Sequence, residues 1–139
     1  TMALNGLIGA GVPQDWSTHL IGHELTALYG LDHAQTLAVI LPSMMHERRV
    51  AKREKLLQYA ERVWNLRDGD DEQRIDAAIE NTRAFFETLG VKTRLKDYGL
   101  EQAAVDAALK QLEQHGMKKL GEHQDIDLAV SRRVLEASL

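Results

Sequence analysis

Apolar residues recur at helical spacing along most of this 139-residue chain, and this repeat restricts the possible folds more than any other feature of the sequence. Proline, which breaks regular helices, occurs only twice. Ala, Leu, Glu and Lys are abundant, and the alternating Val, Ile and Thr that are typical of strands are scarce. The pattern predicts an all-α fold without strands, organised as one domain over residues 1–139 that is long enough to bury a core.

The apolar stripes and the residues that flank them predict the helix boundaries. Residues 2–10 are expected to be the end of a helix that starts upstream, and Asp15 is expected to cap the next one, which Gly30 closes after Tyr29. Pro42 is expected to interrupt the helix that follows. The remaining predicted helices cover residues 33–45, 52–65, 71–89, 100–115 and 127–138, the last capped by Asp127.

Large apolar side chains on these stripes are assigned to core packing. The assignment covers Trp16, Trp64 and the apolar face of residues 71–89, which includes Phe85 and Leu89.

Composition excludes several functional classes. A net charge of -4 leaves no basic surplus for nucleic acid or an anionic membrane, and the basic residues in 46–53 alternate with acids as on a solvated helix face. The lack of cysteine excludes disulfides and thiolate chemistry. The opening apolar stretch has no basic leader and is too short to span a bilayer, so a cytoplasmic protein is expected.

Three of the six histidines lie between residues 19 and 33. His19 and His23 are four positions apart, so on a helix they share one face, about 6 Å apart along the axis. His33 would lie about 21 Å from His19 on one unbroken helix, too far to share an ion with it. The chain must therefore turn back between them if they act together, and Gly30-Leu31-Asp32 is the expected place.

The spacing alone leaves two interpretations open. Imidazole is a common ligand of zinc and iron, and histidines one turn apart present two such ligands on one face. The same side chains could instead be ordinary surface or core histidines, although the apolar neighbours Leu20, Ile21 and Leu25 favour a buried site. A zinc-peptidase helix is excluded, because His23-Glu24 would need a second histidine at the position of Ala27.

The histidine segment resembles the signature of the iron-containing (group III) alcohol dehydrogenases. In that family one histidine is followed by a second four residues later and by a third ten residues further on, across a helix, a turn and the next helix. The likeness extends over the whole chain. The positions that match are His19, Gly22, His23, Leu25, Ala27 and His33, followed by an apolar segment as far as Pro42.

Within the family the chain most resembles the branch of NADPH-dependent butanol dehydrogenases and broad-range aldehyde reductases. Ala34 and Leu37 stand where the lactaldehyde-reductase branch has Gly and Asn, which also favours the aldehyde-reductase branch. The resemblance implies a two-domain, dehydroquinate-synthase-like enzyme with an N-terminal α/β nucleotide-binding domain and a C-terminal helical domain. This chain would be the C-terminal domain without its nucleotide-binding domain, in keeping with a sequence that starts inside an apolar stretch.

The resemblance also implies the roles of the three histidines. The family holds its metal, Fe²⁺ or Zn²⁺, with one aspartate and three histidines, and His19 and His33 match two of these ligands. His23 matches an active-site histidine near the nicotinamide and is the candidate catalytic residue. The other two ligands and the segment that binds NADP(H) would precede residue 1, so no cofactor-binding residue is assigned here. His46, His115 and His123 match no ligand position, and His115 is expected to be favoured by a helix C-terminus.

The implied function is reduction of aldehydes to alcohols with NADPH, in which this chain supplies part of the metal site and of the substrate wall and is inactive alone. The missing domain and a small aldehyde or alcohol are the expected partners. A homo-oligomer is also expected, because residues 2–8 and the histidine helix would leave an apolar face exposed. The alternative is a non-enzymatic helical binding or assembly module with structural histidines.

Overall fold

A computed structural model of the chain describes residues 6–139, and its architecture is helical. The helices are α1 (Ser17–Tyr29), α2 (His33–Glu47), α3 (Arg53–Trp64), α4 (Asp71–Thr88), α5 (Gln102–Gln114) and α6 (Leu128–Ala137). Two 3₁₀ turns, Leu7–Gly9 and Leu95–Tyr98, and two strands, β1 (Lys119–Leu120) and β2 (Ile126–Asp127), complete the described elements. The predicted all-α class is confirmed, and none of the helices described is long and apolar enough to cross a membrane.

The predicted boundary of α1 is confirmed at the C-terminal end only. Gly30 closes the helix in the left-handed conformation, with φ 70°, which favours glycine. The predicted cap, Asp15, is wrong by one position, because Trp16 is the N-cap residue and makes no side-chain cap bond. Asp15 nevertheless accepts hydrogen bonds from the backbone N–H and the hydroxyl of Ser17 at 3.0 and 2.5 Å, so its carboxylate still serves the first turn.

The predicted interruption of α2 at Pro42 is also wrong. The helix runs without a break from His33 to Glu47, and Pro42 is buried within it. Proline removes one helical hydrogen bond, but α2 packs along its length against α1, α4 and α6, and that packing outweighs the local preference.

The four later helices are confirmed to within two residues at each end. Asp127 caps α6 as expected, with its carboxylate accepting from the N–H of Val130 at 2.8 Å. The first predicted helix, over residues 2–10, fails in its described part, where Leu7–Gly9 forms a 3₁₀ turn; residues 2–5 lie outside the described residues.

The absence of strands was also predicted wrongly. β1 and β2 pair antiparallel, with Lys119 opposite Asp127 and Leu120 opposite Ile126. Each strand has two residues, too few for an alternating pattern to be detected in the sequence.

The main core lies among α1, α2, α5 and α6, and a smaller cluster of Leu56, Ile75 and Ile79 joins α3 and α4 to α2 through Met45. Some residues assigned to core packing lie outside it: Trp16 is 51% exposed, Phe85 48% and Leu89 63%. The largest fully buried side chains are Ile21, Leu25, Ile40, Ile75, Leu95, Leu112, Ile126 and Leu135.

The N-terminus of α4 provides a test of the helix boundaries. Asp70 accepts from the N–H of Gln73 at 2.9 Å, and the Gln73 side chain accepts from the N–H of Asp70 at 3.2 Å. We expect Asp70→Ala to lower the free energy of unfolding by about 1 kcal/mol, because the Asp70 carboxylate satisfies the N–H of Gln73, which the helix leaves unpaired. Urea denaturation measures this change. Asp68→Ala is the control, since Asp68 is exposed and has no side-chain partner within residues 6–139; an equal loss in both variants would contradict the assignment.

Candidate metal centre

The site depends on a close crossing of α1 and α2 at Gly22. A Cβ atom at this position would lie 2.9 Å from the hydroxyl oxygen and 3.1 Å from the Cβ of Thr36 on α2, closer than side chains normally approach. Thr36 is fully buried, and its hydroxyl donates to the carbonyl oxygen of His33 at 2.9 Å. Glycine at position 22 therefore allows α2 to approach α1 at the level where both helices carry histidines.

The crossing brings three imidazoles together. The ring centres of His19 and His33 are 5.1 Å apart, those of His23 and His33 are 5.7 Å apart, and those of His19 and His23 are 6.3 Å apart. The chain therefore turns back at residues 30–32, as the spacing of the histidines requires. The cluster contains every histidine that the sequence assigned to metal binding or catalysis, namely His19, His23 and His33.

The cluster lies at the surface, so the buried site favoured by the apolar neighbours is a wrong prediction. His23 and His33 are exposed and His19 is half-buried, whereas Ile21 and Leu25 point into the core. Burial lowers the pKa of His19, and the charges of the neighbouring His33 and His23 lower it further. The lowered pKa favours the neutral imidazole, which is the form that binds a metal.

Ion pairs fix the N-terminal end of α1 beside the cluster. Lys52 lies between the carboxylates of Asp15, at 3.2 Å, and Glu122. Burial alone would raise the pKa of Asp15, but hydrogen bonds from the hydroxyl and the backbone N–H of Ser17, together with the ammonium of Lys52, lower it to about 2. The carboxylate stays charged at neutral pH and anchors the start of the histidine helix to the loops before α3 and after β1.

The opposite face of α1 is fixed by Glu24 and His115. The Glu24 side chain is 4% exposed, and its carboxylate lies 2.8 Å from Nδ1 of His115, the residue that caps the C-terminus of α5. The predicted position of His115 at a helix end is observed, but its carboxylate partner could not be predicted because 91 residues separate the two. The pair links the histidine helix to α5.

The other two histidines lie outside the cluster. His46 is exposed in the last turn of α2, about 20 Å along the helix from His33. His123 is exposed and lies 3.8 Å from Glu122. Within residues 6–139 no three His, Asp or Glu side chains are arranged to hold a metal ion by themselves.

Sequence reasoning missed one neighbour of the cluster. The indole of Trp16, assigned to the core, packs edge-to-face on the ring of His19 with 5.1 Å between ring centres. The available signal was the spacing of three residues between Trp16 and His19, which places both side chains on one face at the start of α1.

The helical fold and the paired histidines identify the class of protein. Residues 2–134 match the model of the C-terminal part of the Fe-containing alcohol dehydrogenase family, so the chain belongs to that family. The resemblance noted from the histidine signature is thereby confirmed.

Individual relatives agree with this assignment. The chain is 66% identical over 138 residues to the NADPH-dependent aldehyde reductase YqhD of Escherichia coli, covering 99% of this chain and 36% of that protein. The crystal structure of that protein matches with a TM-score of 0.94 at 65% identity, over 100% of this chain and 36% of that one. The crystal structure of the NADH-dependent butanol dehydrogenase A of Thermotoga maritima matches with a TM-score of 0.82 at 25% identity, over 99% of this chain and 36% of that one. The chain thus spans about a third of the length of these relatives.

The close crossing at Gly22 predicts the direction in which Gly22→Ala changes the free energy of unfolding. Replacing Gly by Ala in an exposed helix normally stabilises it by about 1 kcal/mol. Here we expect Gly22→Ala to destabilise the chain by about 1–3 kcal/mol, because the new methyl group collides with buried Thr36. Urea denaturation without metal measures the change. Adding Thr36→Ala should recover part of the loss, and a Gly22→Ala chain more stable than the original would refute the close crossing.

Proposed function

We propose that this chain is the helical metal-binding domain of an oxidoreductase that reduces aldehydes to alcohols with NADPH. The observation that carries the proposal is the proximity of His19 and His33, 5.1 Å between ring centres, in a member of the Fe-containing alcohol dehydrogenase family. The E. coli relative is an NADPH-dependent aldehyde reductase, which supports the proposed reaction and cofactor.

The ring distances favour His19 and His33 as the two metal ligands. Two imidazoles bound to one tetrahedral ion at about 2.1 Å have their ring centres about 3.2 Å from the ion and thus about 5.2 Å from each other. The His19–His33 separation of 5.1 Å fits this value, while the pairs that include His23 are wider, at 5.7 and 6.3 Å. The lowered pKa of His19 suits the same role, because metals bind neutral imidazole.

Two ligands do not complete the site. The family pattern adds an aspartate and a further histidine, and we place them in a preceding domain of the same polypeptide that also binds NADP(H). Two facts support this division. The chain corresponds to about a third of its relatives, and the histidine cluster lies at the surface where another domain can reach it.

The family name supports iron as the metal, and a site of histidines with one carboxylate suits Fe²⁺ or Zn²⁺. When bound, the metal supplies Lewis acidity that stabilises negative charge on the aldehyde oxygen during hydride transfer from NADPH. The chain's own part is to hold two imidazoles in place on the rigid α1–α2 crossing.

His23 is the candidate for proton transfer. Its imidazole is exposed, lies on the same helix face as His19, and is 5.7 Å from the ring centre of His33. A histidine in this position can donate the proton that converts the product oxygen to an alcohol, because a protonated imidazole is a common general acid.

We also place the protein in the cytoplasm and expect it to form a homo-oligomer. Light scattering of the purified chain at high concentration tests the second expectation, and a monodisperse monomer would contradict it.

The ligand assignment is tested in a chimera in which this chain replaces the matching C-terminal region of the E. coli aldehyde reductase. His19→Ala and His33→Ala should each lose the metal and lower NADPH-dependent butanal reduction by at least about 100-fold, because removing a direct ligand costs more than removing a residue that supports one. Elemental analysis and the absorbance of NADPH measure the two effects on one preparation.

His46→Ala is the matched control, since this exposed histidine lies outside the cluster and should leave metal and activity unchanged. Full metal occupancy in the His19 or His33 variant would refute the assignment. The unmodified chain by itself should oxidise no NADPH above a control without protein, and activity of the chain alone would refute the proposed division between domains. A chimera that folds, binds NADPH and stays inactive would favour the non-enzymatic alternative.

His23 provides a separate prediction in the same chimera. His23→Ala should keep the metal while kcat falls about 10²–10⁴-fold, the usual contribution of a general acid or base. Unchanged turnover would mean that His23 only packs on the helix face. Loss of metal together with activity would make it a ligand and contradict the assignment of His19 or His33.

A further inference from the structure

Trp16 is in an unusual position for such a large apolar side chain. It is the N-cap residue of α1, and 51% of it is exposed. Its indole contacts the His19 imidazole with 5.1 Å between ring centres and 73° between ring planes. Aromatic pairs favour this edge-to-face arrangement at 4.5–7 Å, so the contact is a specific one.

The backbone and the side chain of Trp16 are both fixed by hydrogen bonds. Its carbonyl oxygen accepts the first helical hydrogen bond of α1, from the N–H of Leu20 at 2.9 Å. Its indole Nε1 donates to the side-chain oxygen of Gln14 at 2.9 Å. The indole is therefore presented to His19 in a defined orientation although half of its surface is exposed.

We propose that Trp16 is a positioning residue that holds the His19 imidazole and stabilises its metal-bound form. This inference rests on the proposed function, in which His19 is a ligand. Metal binding withdraws electrons from an imidazole, and at 5.1 Å between ring centres the His19 ring lies within the distance at which the face of an indole attracts a ring with partial positive charge. The contact also restricts rotation of the His19 side chain, so less conformational entropy is lost when the ion binds.

Trp64 is the matched control for a purely structural tryptophan. It is half-buried between α3 and α4, with ring centres 6.3 Å from those of Tyr59 and Phe85. Its contacts join two helices and involve no histidine. A change in metal binding confined to Trp16 variants thus distinguishes positioning of His19 from general packing.

The experiment measures Ni²⁺ binding to the purified chain by calorimetry and its melting temperature in EDTA. Trp16→Leu should weaken Ni²⁺ binding by about two- to fivefold, the range expected for a partly exposed cation–π contact. Trp16→Phe should recover most of the affinity, because it restores an aromatic face. Trp64→Phe should leave the affinity unchanged, and neither Trp16 variant should lower the melting temperature as much as Trp64→Leu does.

Tryptophan fluorescence measures whether the bound Ni²⁺ lies close to Trp16. In the Trp64→Phe chain Trp16 is the sole tryptophan, and Ni²⁺ should quench its emission with the same midpoint that calorimetry gives. His19→Ala should abolish the quenching at that midpoint.

The outcomes separate this inference from the proposed function. If His19→Ala binds Ni²⁺ as the original chain does, the ligand assignment fails, and the role of Trp16 fails with it. If His19→Ala weakens binding but Trp16→Leu does not, the inference about Trp16 alone is overturned. If Trp16→Leu weakens binding equally in the His19→Ala background, Trp16 acts through another group, and the inference is also overturned.

Discussion

The close approach of α1 and α2 at Gly22 is the constraint on which the histidine cluster depends. A side chain there would meet buried Thr36 at 2.9 Å, and Thr36 is tied to the backbone of His33 through its hydroxyl. The position of one potential ligand thus follows directly from the packing of the neighbouring helix. Because protein interiors are close-packed, a displacement of even a few tenths of an ångström at this crossing is transmitted to the distance between His19 and His33.

The rest of the fold holds α1 at both ends and along its buried face. Lys52, between Asp15 and Glu122, fixes the N-terminal end, and the buried Glu24 carboxylate connects the helix to His115 on α5. Ile21 and Leu25 bury the inward face in the main core. The outward face is left with Trp16, His19 and His23, and in the proposed function a separate domain completes the site there. The chain therefore combines a rigid interior with an open cluster of polar and aromatic groups.

Helical periodicity was sufficient to predict the helices that follow residue 15, and the spacing of the histidines with a glycine after Tyr29 predicted the turn that brings His33 back to His19. The family followed from the resemblance of the histidine segment to a known signature. Features that depend on tertiary packing could not be predicted from the sequence. Pro42 was expected to break α2, but buried contacts on several sides keep the helix continuous. Trp16 was assigned to the core because large apolar side chains on helical stripes usually pack there, whereas its partner is an imidazole one helical turn away. The exposure of His23 and His33 could not be inferred from apolar neighbours that point to the opposite side of α1.

The central claim is that His19 and His33 bind one metal ion together. Long-range ¹H–¹⁵N correlation spectra of the histidine rings, recorded during a Zn²⁺ titration of the chain, test it at the level of individual nitrogens. The account predicts that one ring nitrogen each of His19 and His33 shifts with a common dissociation constant, while those of His46 and His123 do not respond. Separate dissociation constants for His19 and His33, or an unchanged His19 ring at saturating Zn²⁺, would contradict it.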